Sequence, residues 1–403
     1  MSTGDLYTGR EQTLVKHFIL RNYLERFAII VGSRWDTLTY VDCFSGPWNV
    51  QSEQFQDSSF AIALEQLRKA RNVHRDRTGR TLKIRCFFLE KKRSAYDKLK
   101  HFTDQITDVE IEAKNKALED AVQDILDFVK QGGPKAFPFI FIDPTGWTGF
   151  AMETIAPLLR HKPGEILINF MTEHIRRFID SPQRLTQESF EKLFGSGEFK
   201  DKVKGLAEKD REDALVTAYS ESVKRVGAFG YTSSAIVLHP GKDRTLFHLV
   251  YATRDHTGIE VFKNAEKRAM TVMERAREEA QKRERDERVG HSQLGLSFDD
   301  STTQDPSTYF LSLRDRYTSR ARAAVLSLIQ TKIQLTYDEA WSLAMTFPLT
   351  GESDLKDWVR EWKQDGKLET TGMKEKQRVP QFGQNISLVW KGSRASSLRG
   401  QPG

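Results

Sequence analysis

The sequence predicts an α/β protein, with a mainly seven-stranded sheet flanked by helices and a smaller α+β domain after it. Through the first 260 residues, short apolar runs bounded by turn residues alternate with longer amphipathic stretches, which is the pattern of strands and helices in an α/β fold. The length of 403 residues corresponds to about two to three domains. A polar, helix-breaking linker then precedes a second group of elements.

Three strands, each followed by a helix, form the first part of the predicted sheet. A helix precedes them in "TLVKHFILRNYLERFAIIVG", where apolar residues recur at helical spacing. The strands are "TLTYVDCF", "LKIRCFFLE" and "VEIEAK". The helices that follow them are "SSFAIALEQLRKA", "SAYDKLKHF" and "ALEDAVQDILDFVKQGG", of which the last is ended by two glycines.

Four further strands complete the predicted sheet. "FPFIFIDPTGW" is continuous and apolar, as expected of a fourth strand that is covered on both faces. "GEILINF" is the fifth strand, and a long helical insertion at about 173–227 follows it. "SSAIVLHP" and "TLFHLVYATRD" predict a paired sixth and seventh strand. The first domain is therefore predicted to occupy residues 1–265.

The remainder of the chain predicts a charged helix and linker at 266–306, a small domain at 307–391 and a flexible tail at 392–403. The small domain contains three helices, "RARAAVLSLIQTK", "TYDEAWSLAMTF" and "ESDLKDWVREWKQDG", and two strands, "KLETTG" and "ISLVWKG". Three helices and a two-stranded wing predict a winged-helix-like α+β domain. Small helical domains of other kinds are the alternative.

Composition and charge exclude some classes of protein. The net charge of +6 and pI of about 9.0 are compatible with an anionic partner, but 62 basic and 56 acidic residues make this a weak signal. The start "MSTGDLYTGR" lacks the pattern of a signal peptide, and no segment approaches the roughly 18 apolar residues of a membrane span. We expect a cytoplasmic protein without membrane contact. Cys43 and Cys86 lie in apolar runs, which favours buried free thiols over a disulfide or a metal site.

Polar residues end the predicted parallel strands. They are Asp42, Glu90, Asn115, Asp143 and Asn169. In an open parallel sheet, ligands bind beyond the carboxyl ends of the strands, near the topological switch point. An acid that ends the second strand can accept hydrogen bonds from both hydroxyls of a ribose. The alternative is that these are turn residues that merely end strands.

The loop after the first strand favours a particular cofactor. Gly46 allows close approach of the backbone, and the start of the following helix offers N–H groups. The sequence contains no phosphate loop of the G-x-x-x-x-G-K-[ST] type and no G-x-G-x-x-G after the first strand, which disfavours NTP hydrolysis and typical dinucleotide binding. We therefore predict S-adenosylmethionine, whose sulfonium, ribose and amino-acid end require acids and a glycine bend. The predicted cofactor-binding residues are Asp42, Phe44, Ser45, Gly46, Pro47, Glu90 and Asn115.

The segment "FIFIDPTGWTGF" carries the predicted chemistry. Asp143 and Pro144 stand where amino-group methyltransferases carry an acidic or amide residue followed by proline, and in those enzymes the side chain accepts hydrogen bonds from the target amine. We predict that Asp143 and Pro144 orient an amine and that Trp147 stacks on an extruded base. The alternative is that Asp143 caps the following helix and Trp147 packs under it.

Four segments together resemble the three-Cys-motif partner (TcmP) family, a class I methyltransferase-like group. They are "KHFILRNYL", "YVDCFSGP", "FIDPTGWTGF" and "YATRDHTGIEVFKNA", and the resemblance covers about residues 10–265. It implies a Rossmann-like class I methyltransferase fold and a partner with a three-cysteine motif. Three thiolates suggest an iron–sulfur, radical-type partner, because they leave one cluster iron open. Trp48 and Thr145 stand where the family pattern has glycine and phenylalanine.

Four residues near the predicted site are candidates for substrate binding. Lys16 and His17 lie one helix before the first strand, an arrangement similar to that of ribosomal-RNA adenine methyltransferases with a Lys-His pair near the cofactor. For His17 the alternative is a packing role. Arg176 and Arg177 follow the fifth strand and are candidates for phosphate contacts, or else ordinary surface charges.

The loop of the predicted wing is basic. "GMKEKQRVPQFGQN" holds Lys374, Lys376 and Arg378 against a single acid, so these residues are candidates to follow a phosphate backbone. The alternative is a protein-docking module. The third helix of this domain places its apolar residues on one face, which predicts a core made of Leu355, Trp358, Val359 and Trp362.

Together these residues predict an S-adenosylmethionine-dependent methyltransferase-like protein that acts on nucleic acid together with a three-Cys-motif partner. The alternative is a non-catalytic or weakly catalytic subunit that binds nucleic acid or supports an iron–sulfur, radical-type three-cysteine protein. A nuclease is disfavoured, because no acids cluster at metal-ligand spacing.

Overall fold

The computed structural model describes residues 5–46, 50–52, 55–291 and 306–392. The chain forms two compact units, 1–306 and 307–403. Pro47, which was predicted to bind the cofactor, and Trp48 lie outside the described residues, as do residues 292–305 of the predicted linker and 393–403 of the predicted tail.

The first unit is built on a seven-stranded mixed sheet, as predicted. Its strands are β1 (Thr37–Asp42), β2 (Lys83–Leu89), β3 (Glu110–Lys114), β4 (Ala136–Ile142), β5 (Glu165–Phe170), β6 (Tyr231–Leu238) and β7 (Thr245–Thr253). Their order in the sheet is β3-β2-β1-β4-β5-β7-β6. The first five are parallel, whereas β7 is antiparallel to β5 and β6. From β1, the strands β2 and β3 are added toward one edge of the sheet, whereas β4 and β5 are added toward the other edge. The topological switch point therefore lies between β1 and β4.

Ten helices flank this sheet in the described residues. They are α1 (Glu11–Gly32), α2 (Ser59–Thr78), α3 (Arg93–Asp104), α4 (Leu118–Gln131), α5 (Met152–Arg160), α6 (Thr172–Phe178), α7 (Arg184–Phe194), α8 (Phe199–Val203), α9 (Glu208–Gly227) and α10 (His256–His291). Helices α4 to α9 share one apolar core with the sheet. Aromatic contacts link α1, α2 and α10 to the opposite face, as in the packing of Tyr23 on Phe139 and of Phe60 on Phe88. The sheet is thus covered on both sides.

Local sequence explains where these elements start and stop. All six residues of β1 are buried, as expected of a central parallel strand. Helix α2 begins at the N-cap Ser58, whose hydroxyl accepts a hydrogen bond from the N–H of Ala61. It ends at Gly79, where a φ of 68° suits the left-handed conformation that glycine adopts without strain.

The register of the central strands sets the level at which the site begins. Asp42 at the end of β1 lies beside Phe88 of β2 and Phe141 of β4. Because β2 and β4 each run only slightly further, Glu90 and Asp143 follow their strands at nearly the same level. The carboxyl ends of these three strands therefore open onto one region.

The first unit extends beyond the predicted domain end. Helix α10 is continuous from His256 to His291, so the predicted domain end at residue 265 falls inside a helix that belongs to the first unit.

Cys43 and Cys86 are buried free thiols, as predicted. In the part of the chain that the structure describes, none of the helices has both the length and the apolar character needed to cross a bilayer.

In its described residues, the second unit has three helices, α11 (Pro306–Lys332), α12 (Tyr337–Ala344) and α13 (Glu352–Gln364), and three short strands, β8 (Gln334–Thr336), β9 (Leu368–Thr371) and β10 (Ser387–Trp390). The strands form an antiparallel sheet in the order β8-β10-β9. The sequence did not predict β8, which is only three residues long. On α13 the four predicted core residues are buried.

Candidate functional site

A cavity of about 600 Å³ lies at the carboxyl ends of the central strands. It is lined from α1, from the loop after β1 and from the residues that follow β2, β4 and β5. The lining includes Lys16, His17, Phe44, Gly46, Glu90, Asp143, Pro144 and Asn169. Its volume lies within the range of about 300–1,000 Å³ that is typical of small-molecule and cofactor sites.

Asp42 and Ser45 shape the loop after β1 instead of lining the cavity. The Asp42 carboxylate is fully buried and accepts hydrogen bonds from the N–H of Phe44 at 3.1 Å and the hydroxyl of Ser59 at 2.6 Å. Burial raises the pKa of Asp42 to about 6. The Ser45 hydroxyl donates to the carbonyl of Asp42 at 2.8 Å and accepts from the N–H of Leu89 at 3.3 Å. Their predicted cofactor contacts are thus replaced by internal ones, and Phe44 and Gly46 reach the cavity.

Glu90 brings a carboxylate to the cavity wall directly after β2. Its residue is only 3% exposed, and one carboxylate oxygen accepts a hydrogen bond from the N–H of Lys92 at 2.6 Å. Asn115, predicted to bind the cofactor, instead ties this loop to the end of β3. Its side-chain amide donates to the carbonyls of Glu90 at 2.8 Å and Lys91 at 3.0 Å, and it is not part of the lining.

Two side chains from separate elements contact the carboxylate of Asp143. The Lys16 ammonium on α1 forms a salt bridge to Oδ2 of Asp143 at 2.5 Å. The side-chain Nδ2 of Asn169, near the end of β5, donates to Oδ1 of Asp143 at 2.7 Å. Both side chains of the salt bridge are mostly buried, with 13% and 14% exposed. The sequence had predicted Lys16 and Asp143 as site residues but not their pairing, because 127 positions separate them.

His17 also lines the cavity, but as a neutral group. Its Nδ1 shares a hydrogen bond of 3.0 Å with the hydroxyl of Tyr7, and the two rings meet edge to face. Burial, together with the neighbouring Lys16 charge, holds the pKa of His17 well below its usual value. Burial also raises the pKa of Tyr7 to about 12. At neutral pH, His17 is therefore uncharged.

An ion pair that the sequence did not predict lines the cavity next to the start of α1. The Arg10 guanidinium pairs with the buried carboxylate of Asp57. Asp57 also accepts hydrogen bonds from the N–H groups of Gln51 at 2.9 Å and Ser52 at 3.1 Å. These contacts tie the segment before α1 to the loop before α2. The sequence predicted a helix that begins at Ser58 and gave no role to Asp57 directly before it.

Three of the predicted catalytic and substrate residues lie away from the cavity. Trp147 packs on Phe178 and Phe190, with ring centroids 5.1 and 5.5 Å apart, and its Nε1 donates to the hydroxyl of Ser189 at 3.1 Å. Its predicted stacking on a base is therefore replaced by packing against α6 and α7. Arg176 faces Glu208 at 3.4 Å and Glu212 at 3.6 Å, and Arg177 is exposed on α6.

In the second unit, Lys374, Lys376 and Arg378 are exposed in the loop between β9 and β10. Within the described residues, no salt bridge is recorded for any of them. The loop itself is braced by Gln377, whose side chain donates to the carbonyl of Val379 at 2.8 Å and to the side chain of Gln384 at 2.6 Å.

Comparison with known proteins shows no matching family and no matching curated protein. Among solved structures, protein LPL1258 from Legionella pneumophila, of the family DUF519, is 10% identical with a TM-score of 0.37, covering 64% of this chain and 91% of its own. A loganic acid methyltransferase with SAH is 8% identical with a TM-score of 0.30, covering 73% of this chain and 94% of its own. Likenesses this weak establish no family and no function.

The packing of Trp147 leads to a first prediction. Trp147→Leu removes aromatic contacts to α6 and α7 and should lower the free energy of unfolding by about 1–3 kcal/mol. The affinity for the predicted ligand, S-adenosylmethionine, should change by less than about threefold, because the Trp147 ring is not part of the cavity lining. Urea denaturation and calorimetric titration measure the two effects. A large loss of ligand affinity with unchanged stability would show that the ring belongs to the site.

Proposed function

We propose that the cavity binds S-adenosylmethionine and that the protein is a methyltransferase acting on an amine. The buried carboxylate of Glu90 on the cavity wall is the observation that carries this proposal. A carboxylate has two acceptor oxygens, so one such group on the cavity wall can accept hydrogen bonds from both hydroxyls of a ribose. A seven-stranded sheet with a reversed seventh strand supports it, since this is the fold that the resemblance to class I methyltransferases implies.

The neighbouring loop suits the rest of the cofactor. Gly46, in the loop after β1, brings a backbone without a side chain to the cavity. Phe44 of the same loop adds an apolar surface. Leu118 and the residues before it, at the start of α4, form a further part of the wall. Glu90, Phe44 and Gly46 would hold the cofactor, which supplies an electrophilic methyl group when it is bound.

Asp143 lies on the other side of β1 from Glu90, next to the switch point, and is assigned to the methyl acceptor. Its carboxylate is held by Lys16 and Asn169 and can accept a hydrogen bond from an amine. Asp143 would orient the nitrogen of this amine toward the methyl group that bound S-adenosylmethionine would supply, and the proton lost from the methylated nitrogen would pass to water.

Glu90→Ala should weaken the binding of S-adenosylmethionine by about 10- to 100-fold. Charge-assisted hydrogen bonds of this kind contribute about 1.5–3 kcal/mol each, and 1.4 kcal/mol corresponds to a factor of ten. Calorimetric titration measures the change. Glu112→Ala is the matched control, because Glu112 lies on the adjacent strand β3, pairs with Lys114 and does not line the cavity. Equal affinities of both variants would remove Glu90 from the site.

Asp143→Ala should reduce methyl transfer at least about 100-fold while cofactor affinity stays within a few-fold, because Asp143 orients the acceptor. A tritiated-methyl assay on mixed DNA and RNA measures transfer, and a thermal melt checks folding. Wild-type protein that binds the cofactor but transfers nothing, with or without a partner protein, would favour the alternative role of a non-catalytic subunit.

We further propose that the acceptor is nucleic acid and that the second unit helps to bind it as a winged-helix-like module. Helices α11 to α13 and the antiparallel sheet support this arrangement. The three exposed cations in the loop between β9 and β10 have no recorded acidic partner among the described residues, so their charges are available for phosphate. The three-cysteine partner is proposed on the resemblance alone.

Replacing Lys374, Lys376 and Arg378 together with alanine should weaken binding to a short duplex and flatten its salt dependence. Three phosphate contacts correspond to a slope of about −2 to −3 in a plot of log affinity against log salt. The matched control replaces Lys332, Lys356 and Lys391, which are each paired with a glutamate of the same unit. If both triple variants of the full chain have the wild-type slope, the loop does not contact phosphate.

A further inference from the structure

Asn169 presents a buried hydrogen-bond acceptor to the cavity. The residue is 3% exposed, lines the cavity and lies in β5, one position before the end of the strand. Its Nδ2 donates to Oδ1 of Asp143 at 2.7 Å. Its Oδ1 has no hydrogen-bond partner among the described residues. A buried carbonyl oxygen without a donor is unfavourable, so this atom points to a donor that a ligand brings.

The salt bridge of Asp143 fixes the orientation of the Asn169 amide. Exchanging the nitrogen and oxygen of the amide would set Oδ1 of Asn169 against a carboxylate oxygen at 2.7 Å. Two acceptors at this distance repel each other, whereas the observed arrangement forms a charge-assisted hydrogen bond. The oxygen must therefore face away from Asp143.

The position of Asn169 in the sheet separates it from the proposed ribose site. Glu90 follows β2 and Asn169 lies at the end of β5, with β1 and β4 between these two strands. Three strand spacings of about 4.8 Å put the two strand ends about 14 Å apart. The donor that meets Asn169 therefore belongs to the acceptor end of the cavity and not to the ribose.

The charges around Asn169 restrict the kind of donor. The Lys16 ammonium lies on the other carboxylate oxygen of Asp143, so the carboxylate is already neutralised by a cation of the protein. An alkylammonium brought to the same place would add a second cation beside Lys16, which is electrostatically unfavourable. A neutral N–H group meets no such repulsion.

We propose that Oδ1 of Asn169 accepts a hydrogen bond from the methyl acceptor, and that this acceptor is the neutral exocyclic amino group of a nucleobase. The proposal rests on the proposed function, which it narrows. Asp143 and Asn169 then contact the same amino group from adjacent strands, β4 and β5. The charge of Lys16 disfavours the ammonium of a lysine side chain at this place relative to a neutral amino group.

The test measures binding by the full chain with S-adenosylhomocysteine present. The probes are short single-stranded oligonucleotides that contain adenine and cytosine, and matched ones with hypoxanthine and uracil in their place, which lack the amino groups. Wild-type protein should bind the amino-containing probes at least about tenfold more tightly. Asn169→Leu, and Asn169→Ala as a second variant, should lose this preference. Asn264→Leu, at an exposed position of α10, is the control and should retain it.

Each result decides between the proposals. Absence of a preference in the wild type, retention of it in folded Asn169 variants, or tighter binding of a lysine-rich peptide would overturn the inference. Loss of S-adenosylhomocysteine affinity in Asn169→Leu would assign the oxygen to the cofactor, which overturns the inference and leaves the proposed function intact. Failure of wild-type protein to bind the cofactor would contradict the proposed function. The preference for amino-containing probes, measured without cofactor, would still test the role of Asn169.

Discussion

The position of β1 between β2 and β4 determines where the cavity lies and which side chains face it. Parallel strands end at the same edge of a sheet, and the register aligns Asp42 with Phe88 and Phe141. The connections after β1 and β4 leave toward opposite halves of the sheet, so a crevice opens between them. Helix α1 and the segment before it then cover this crevice from one side. A different strand order would separate Glu90 from Asp143 and leave no common site.

Two ion pairs stabilise this crevice and also determine the charges that line it. Lys16 with Asp143 and Arg10 with Asp57 are mostly buried pairs, and removing either partner would leave an uncompensated charge in a poorly solvated place. The pairs also connect elements that are distant in the chain: α1 to the end of β4, and the segment before α1 to the loop before α2. The same groups that hold the fold together therefore define the charge that a ligand meets.

Much of the fold could be predicted from the sequence because buried parallel strands are continuous apolar runs with a polar end. This signal identified all seven strands of the large sheet and placed Glu90 and Asp143 at the cavity. It did not distinguish Asp42, Ser45 and Asn115, which brace loops beside the cavity, since a polar residue at a strand end serves equally well for this. Strand β8 was too short to show an alternating pattern.

Residues whose role depends on the helical insertion could not be predicted. Trp147 and Arg176 lie near the end of β4 or β5 in sequence, but α6, α7 and α9 provide their partners. The pairing of Lys16 with Asp143 depends on how α1 crosses the sheet, and nothing local in either segment signals it. The acceptor oxygen of Asn169 becomes apparent only once that pairing fixes its orientation.

A crystal structure of the protein grown with S-adenosylhomocysteine tests the central claim most directly. The account predicts density for the ligand in the cavity, with the ribose hydroxyls within hydrogen-bonding distance of the Glu90 carboxylate and the sulfur directed toward Asp143. An empty cavity at millimolar ligand, or a ligand bound with its ribose away from β2, would contradict it.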